Sequence, residues 1–286
     1  MKYIIHGATG AQGSPLFKKG LQAGKAVVAA VRDPSAWTDV PAVAVDYTSV
    51  DSLAAAYRDA KGVFVHLPVV SEEERLLYAR NIAEAIGQAK PRRVVISTSG
   101  WVVDEPGTSR QSSEDSAVST LIRGIEKTGV SLAVIAPRLY LENLLLPLVL
   151  EPVKHDGILR YPLGADFPVS WSSHLDIADV ADALFADISV TGVVGVGQQP
   201  AVTGVELADA FSKHFGREVT YKGLDPDEFG ELLTPLFGAG AAAGVVGGYK
   251  SMAQVSANAI NSKSSAQTLL GITPRTVGQW LSEIGV

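Results

Sequence analysis

Lys2-Tyr-Ile-Ile-His-Gly-Ala-Thr-Gly-Ala-Gln-Gly-Ser-Pro-Leu-Phe17 is the stretch on which the fold turns. Tyr3 to His6 has strand character, glycines follow at 7, 10 and 13, and a helix is expected to begin near Ser14. Each glycine answers a physical demand. Gly7 lets the chain turn sharply out of the strand, and Gly10 lets backbone amides approach a pyrophosphate with no Cβ in the way. Gly13 lets the helix pack closely on the strand. Amides at the helix N-terminus point at the phosphates, and the helix dipole favours their charge. Spacing alone says little, because glycine turns are common. The position directly after a strand and before a helix makes Gly7, Thr9, Gly10, Ala11, Gln12 and Gly13 a dinucleotide site.

Working outward, Ala26 to Val31 is an all-apolar run, read as a second strand buried on both faces. It ends in Arg32-Asp33-Pro34. An acidic residue at this strand end accepts hydrogen bonds from a ribose 2′-OH, whereas an arginine accommodates a 2′-phosphate in bidentate fashion. Arg32 therefore selects NADP(H) over NAD(H), although the neighbouring Asp33 blurs the rule. Ala42 to Val45 is a third strand. Asp46, which follows it, either accepts a hydrogen bond from the adenine amino group or caps a turn. A helix over Val50 to Arg58 precedes the fourth strand, Gly62 to His66, and the loop His66-Leu67-Pro68 is expected over the cofactor.

A long amphipathic helix spans Glu72 to Ala89, and the fifth strand, Arg93 to Ile96, closes in Ser97-Thr98-Ser99-Gly100-Trp101. The hydroxyls of Ser97 and Thr98 can bond a nicotinamide or a substrate carbonyl, or satisfy local backbone groups. A helix over Ser113 to Lys127 and a sixth strand, Ser131 to Ala136, complete the alternation. The expected fold is α/β, a doubly wound parallel Rossmann sheet with a smaller C-terminal α+β substrate lobe. Residues 1–150 form the NADP-binding part, completed by about 167–200, and 151–286 form most of the smaller lobe. In that lobe Leu139 to Leu150 reads as helix. The Gly/Ala-rich stretch Gly238 to Gly248 reads as a mobile segment or, preferably, a helix-to-helix connection.

Composition narrows the function. The 286 residues are 47% apolar and 19% charged, with a net charge of −6, which suits a globular chain without a general basic surface for nucleic acid. There is no cysteine, which removes disulfides, thiolate catalysis and cysteine metal sites, and no His and carboxylate set has ligand spacing, so no metal is expected. No apolar run reaches the roughly 20 residues of a membrane span, and the first strand begins too early for a signal peptide. A cytoplasmic protein without a membrane partner is expected, with a small apolar or aromatic substrate; a homodimer is left open.

Gly7-Ala-Thr-Gly-Ala-Gln-Gly13, Val31-Arg-Asp-Pro34 and Ser97-Thr-Ser-Gly100 together resemble the NmrA-like branch of the atypical short-chain dehydrogenases/reductases. Pro137-Arg-Leu-Tyr-Leu-Glu-Asn143, Trp171 to Asp179 and the final helix at Thr276 to Ile284 extend the likeness nearly end to end. That branch includes NADPH-dependent quinone reductases, isoflavone and benzylic ether reductases, and redox-sensing regulators. The resemblance implies that Arg138 takes part in cofactor binding. It also implies a departure. The wider superfamily uses a Tyr-x-x-x-Lys pair, and reductases of this branch often place a lysine about three residues before the Ile/Leu-Arg pair seen here as Leu121-Ile122-Arg123. The region around Ser113 to Arg123 has no Tyr/Lys pair, and counting back reaches Val118, which cannot shuttle a proton.

Hydride chemistry belongs to the cofactor, and a proton can come from solvent or from a nearby His or Tyr. Tyr140, just past the sixth strand, and His174, which alternatively orients the helix it begins, are the catalytic candidates. The first reading is an NADPH-dependent reductase of a quinone or similar conjugated carbonyl. The alternative is an NADP(H)-binding redox sensor that does no turnover.

Overall fold

The computed structural model describes residues 1–286, the side chain of Ala36 excepted. Two compact units are built from interleaved pieces of chain. The first comprises Met1–Pro137, His174–Val196 and Lys263–Ile272; the second comprises Arg138–Ser173, Gly197–Ser262 and Thr273–Val286.

In chain order, the first unit opens with β1 (Lys2–His6), α1 (Gly13–Gln22), β2 (Val27–Val31) and β3 (Ala42–Ala44). It continues through α2 (Val50–Tyr57), β4 (Ala60–Val65), α3 (Glu72–Ala89), β5 (Arg93–Ser97), α4 (Ala117–Glu126) and β6 (Ser131–Pro137). The second unit then contributes β7 (Leu139–Tyr140), α5 (Pro147–Asp156), β8 (Ile158–Tyr161) and β9 (Trp171–Ser172). The chain returns to the first unit for α6 (His174–Ala186) and β10 (Gly192–Val196), and leaves again for α7 (Gly204–Phe215), β11 (Thr220–Gly223), α8 (Pro226–Phe237) and α9 (Ala239–Met252). A short α10 (Ala266–Leu270) belongs to the first unit and α11 (Val277–Ile284) to the second.

The first unit holds one seven-stranded sheet in the order β10-β6-β5-β4-β1-β2-β3, and every pairing is parallel. This is the doubly wound α/β arrangement read from the strand–helix alternation. Its order reverses between β1 and β4, which is where ligands sit outside the carboxyl ends of strands in such sheets. Ile4, Val63, Val65, Val94, Ile96 and Val134 are fully or almost fully buried, as expected for strands covered on both faces. Two ion pairs, Lys19–Asp179 and Lys25–Asp182, bring together the α1 region and α6. Buried Arg93 donates to Ser131 Oγ at 2.7 Å and to the carbonyls of Ile188 and Val190, so the loop after α6 is anchored to the start of β5.

The second unit packs around Trp171, Trp280, Tyr161, Phe211 and Phe229. Two expectations fail here. Gly238 to Gly248 is neither loop nor connection, because α9 runs through it. A Cβ on Gly230 of α8 would lie 2.3 Å from Val246 Cγ2, so the two helices meet closely enough for tertiary packing to override glycine's poor helix propensity. Leu139 to Leu150 is not one helix either. Leu139 and Tyr140 pair with Trp171 and Ser172, a 3₁₀ turn covers Leu141–Leu145, and α5 starts afresh with Pro147 at its first position, where a missing N–H costs nothing. No helix among the described residues is long and apolar enough to cross a membrane.

Candidate functional site

The glycine loop has the geometry its spacing asks for. Gly7 sits at φ +62°, the Gly10 amide donates to the Gly7 carbonyl at 2.7 Å, and the Ser14 amide donates to the Gly10 carbonyl at 3.0 Å. A Cβ on Gly13 would stand 2.3 Å from the Gly7 oxygen and 2.4 Å from the His6 oxygen, so α1 is in contact with the end of β1. The first turn of α1 has no side-chain cap and no acidic residue. Its positive dipole end carries no acidic side chain of its own and suits an anion. At α3, by contrast, Ser71 and Glu74 form a full capping box and three glutamates fill the first turn.

At the end of β2 the two neighbours separate in role. Asp33 accepts the Ser35 amide at 2.8 Å and caps a 3₁₀ turn, and bonds from the Ser35 hydroxyl and then its amide hold its carboxyl below the usual range. Arg32 is exposed and makes no hydrogen bond or ion pair among the described residues. Asp46 accepts from the Thr48 amide and hydroxyl at 2.8 and 2.7 Å, so it does cap the turn after β3.

Between these points lies a chain of polar rings. His6, fully buried, has Nδ1 2.8 Å from the Tyr47 hydroxyl and Nε2 2.9 Å from the Tyr57 hydroxyl. Burial, with a smaller push from His66, lowers its pKa to about 3, so it is neutral. Burial pushes the Tyr47 phenol up to about 12, against the pull of the Arg32 charge, which places that phenol near the guanidinium.

His66 follows β4. Its ring lies over Gly7, with Nε2 2.2 Å from where a Gly7 Cβ would be, and that nitrogen is buried without a partner. Burial lowers its pKa, a backbone bond at Leu67 opposes this, and the nearby His174 lowers it further. Leu67 is buried and Pro68 half-buried beside it. After β5, Thr98 Oγ1 is likewise buried without a partner. The Ser97 hydroxyl donates to Gln12 Oε1 at 2.6 Å and accepts the local Ser99 amide at 3.3 Å. The described residues include no group of three His, Asp or Glu side chains able to hold a metal.

Residues 2–281 match the model of the NmrA-like family. The chain belongs to the NmrA-like family. Among solved structures, the triphenylmethane reductase of Citrobacter sp. superposes with a TM-score of 0.81 at 16% identity over 100% of both chains. Its complex with NADP(H) gives 0.79 at 16% over 98% of both. The NADPH-dependent quinone oxidoreductase of Escherichia coli, solved with NADPH, gives 0.76 at 19% over 100% of both chains. A mutant NmrA gives 0.68 at 15% over 99% of this chain and 90% of that one. At such identities the likeness is one of fold. No curated protein matches the chain in sequence.

In this NmrA-like chain the other candidates lie as follows. Arg138 and Tyr140 belong to the second unit. Arg138 is buried, with Nε donating to the Ala259 carbonyl at 3.2 Å, and Tyr140 is half-buried opposite Ser172. His174 is the first residue of α6, in the first unit with His66. Val118 is buried on α4. Sequence reasoning missed the side-chain role of Gln12, the His6 pairings and Ser99. The repeated hydroxyls at the end of β5 were visible; the partner 85 residues away was not.

Proposed function

We propose that the chain is an NADP(H)-dependent oxidoreductase that reduces a quinone or a similar conjugated carbonyl. The observation that carries this is the glycine loop: a left-handed Gly7, Gly13 in contact with β1, and an α1 start left uncapped at the switch point of the sheet. These features fit a dinucleotide pyrophosphate. Arg32, without an ion pair while Asp33 is committed to Ser35, fits a 2′-phosphate. The bound cofactor supplies the hydride. Amides of the glycine loop would hold the phosphates, and His66, Leu67, Pro68 and Thr98 would line the rest of the cofactor's place in the first unit. Tyr140 or His174 delivers the proton to the reduced carbonyl. The relatives solved with NADP(H) and NADPH, one of them named a quinone oxidoreductase, support the same class.

A second reading, an NADP(H)-binding sensor without turnover, draws on Val118. An aliphatic side chain buried there cannot move a proton. NADPH oxidation followed at its absorbance band with a panel of quinones and enones separates the two. Turnover with one acceptor supports the reductase; tight NADP(H) binding with none sinks it, and unchanged turnover in Tyr140→Phe removes Tyr140 from the mechanism. Arg32→Glu is expected to weaken NADPH binding roughly 30-fold, about 2 kcal/mol for a charge-assisted contact, and NADH binding far less. Equal losses would show that Arg32 does not read the 2′-phosphate.

A further inference from the structure

Gln12 occupies the N-cap position of α1, yet its side chain makes no capping bond and turns toward the end of β5. Its Oε1 accepts the Ser97 hydroxyl at 2.6 Å, its Nε2 donates to Ser99 Oγ at 2.9 Å, and the Ser99 amide donates to Ser97 Oγ at 3.3 Å. The result is a closed ring of three bonds, with Gln12 only 8% exposed. Valence sets its direction. Ser97 has one hydroxyl hydrogen and gives it to Gln12, which gives an amide hydrogen to Ser99; the Ser99 hydroxyl hydrogen is the one left to donate outward.

The ring also holds an unfavourable backbone. Ser99 lies at φ +57°, a left-handed conformation that a residue with a Cβ adopts only when its surroundings impose it. Gly100 follows at φ +92°, and Trp101, 46% exposed with the Arg75 guanidinium 5.0 Å from its ring centre, comes next. On the other side, Gln12 precedes Gly13, where a Cβ would stand 2.3 Å from the Gly7 oxygen and 2.4 Å from the His6 oxygen. Gln12 therefore cannot shift without the glycine loop shifting too.

We propose that Gln12 is a positioning residue that locks the 97–101 loop to the glycine loop, so that dinucleotide occupancy is transmitted to Ser99 and Trp101. The inference rests on reading the glycine loop as the dinucleotide site. A ligand that orders the amides of residues 10 to 13 orders Gln12, and its two hydrogen bonds carry that order across to β5. The same clamp aims the free Ser99 hydrogen.

The lock is tested first without ligand, by hydrogen exchange on the full chain. Gln12→Leu keeps the volume and removes both bonds, and is expected to raise exchange at residues 99 to 101 about tenfold while α3 is unchanged. Gln12→Glu, which keeps the acceptor for Ser97, should fall between. Unaltered protection at residues 99 to 101 in Gln12→Leu overturns the lock. The transmission is tested with NADP⁺, reading Trp101 emission as the difference between the chain and its Trp101→Phe variant. Saturating NADP⁺ should shift that emission in the wild type, and the shift should vanish in Gln12→Leu at equal occupancy by calorimetry. Ser99→Gly, which removes the hydroxyl outside the glycine loop and suits a left-handed φ, should lose it too. A shift retained in both variants overturns the transmission. A wild-type chain that binds no NADP⁺ sinks the functional reading and the transmission with it, while the exchange measurement still judges the lock.

Discussion

His6 and His66 stand at the ends of adjacent strands, β1 and β4, at the same edge of one sheet, and their surroundings could hardly differ more. His6 has a phenol on each ring nitrogen; His66 has a backbone bond at Leu67 and a buried Nε2 that is set against Gly7 without a hydrogen-bond partner. A buried polar atom left unpaired costs stability, so the chain satisfies one histidine completely and carries that cost at its neighbour, whose Nε2 is packed against Gly7. The helix ends repeat the lesson, α3 capped by its own residues and α1 left bare.

The largest expected effect is on the satisfied member. The folded chain keeps His6 neutral down to about pH 3, against 6.5 for an ordinary histidine. Between those values the unfolded chain binds more protons than the folded one. The stability from a neutral His6 is thus fully present above pH 6.5 and is lost as pH falls toward 3, on the order of 5 kcal/mol in all. Urea midpoints measured from pH 8 to pH 4 should drop steeply in the wild type and less so in His6→Gln; equal slopes would place the acid sensitivity elsewhere. Next comes Gly7→Ala, which puts a Cβ 2.2 Å from His66 Nε2 at a left-handed φ and should cost about 2–3 kcal/mol in thermal unfolding. Adding His66→Ala should recover part of that loss, and strict additivity of the two changes would mean that the rings and the loop do not press on each other. The smallest is His66→Phe: a stability loss of about 1 kcal/mol, since only the backbone bond at Leu67 goes and no hydrogen bond of Nε2 is lost, but NADPH binding about tenfold weaker. A stability loss comparable to that of a His6 variant would erase the distinction.

What could be read in advance follows from where the information lies. Buried parallel strands leave continuous apolar runs such as Val27–Val31 and Val63–Val65, and the glycine loop leaves its spacing, so sheet and loop were legible. Gly238 to Gly248 was not, because its helix exists through a close approach of α9 to Gly230 that no local pattern announces. The Asp33 and Asp46 turns were local and could be anticipated in kind. The Gln12 bonds and the pairing of His6 with Tyr47 and Tyr57 span 41 to 87 residues and show only when the strands are in register.

The discontinuous build of the sheet has a consequence for how the chain is made. β6 acquires its outer neighbour only from Gly192–Val196, with Lys263–Ile272 added to the same unit later still, while Arg138–Ser173 and Gly197–Ser262 are in another body. A ribosome therefore exposes six strands with an open edge at β6 for the time it takes to synthesise some sixty further residues, the span from Pro137 to Val196. At about 5–20 residues per second that interval lasts several seconds, long enough for an unpaired edge to meet another nascent chain. The length of that exposure is set by the connectivity of the sheet rather than by its final stability.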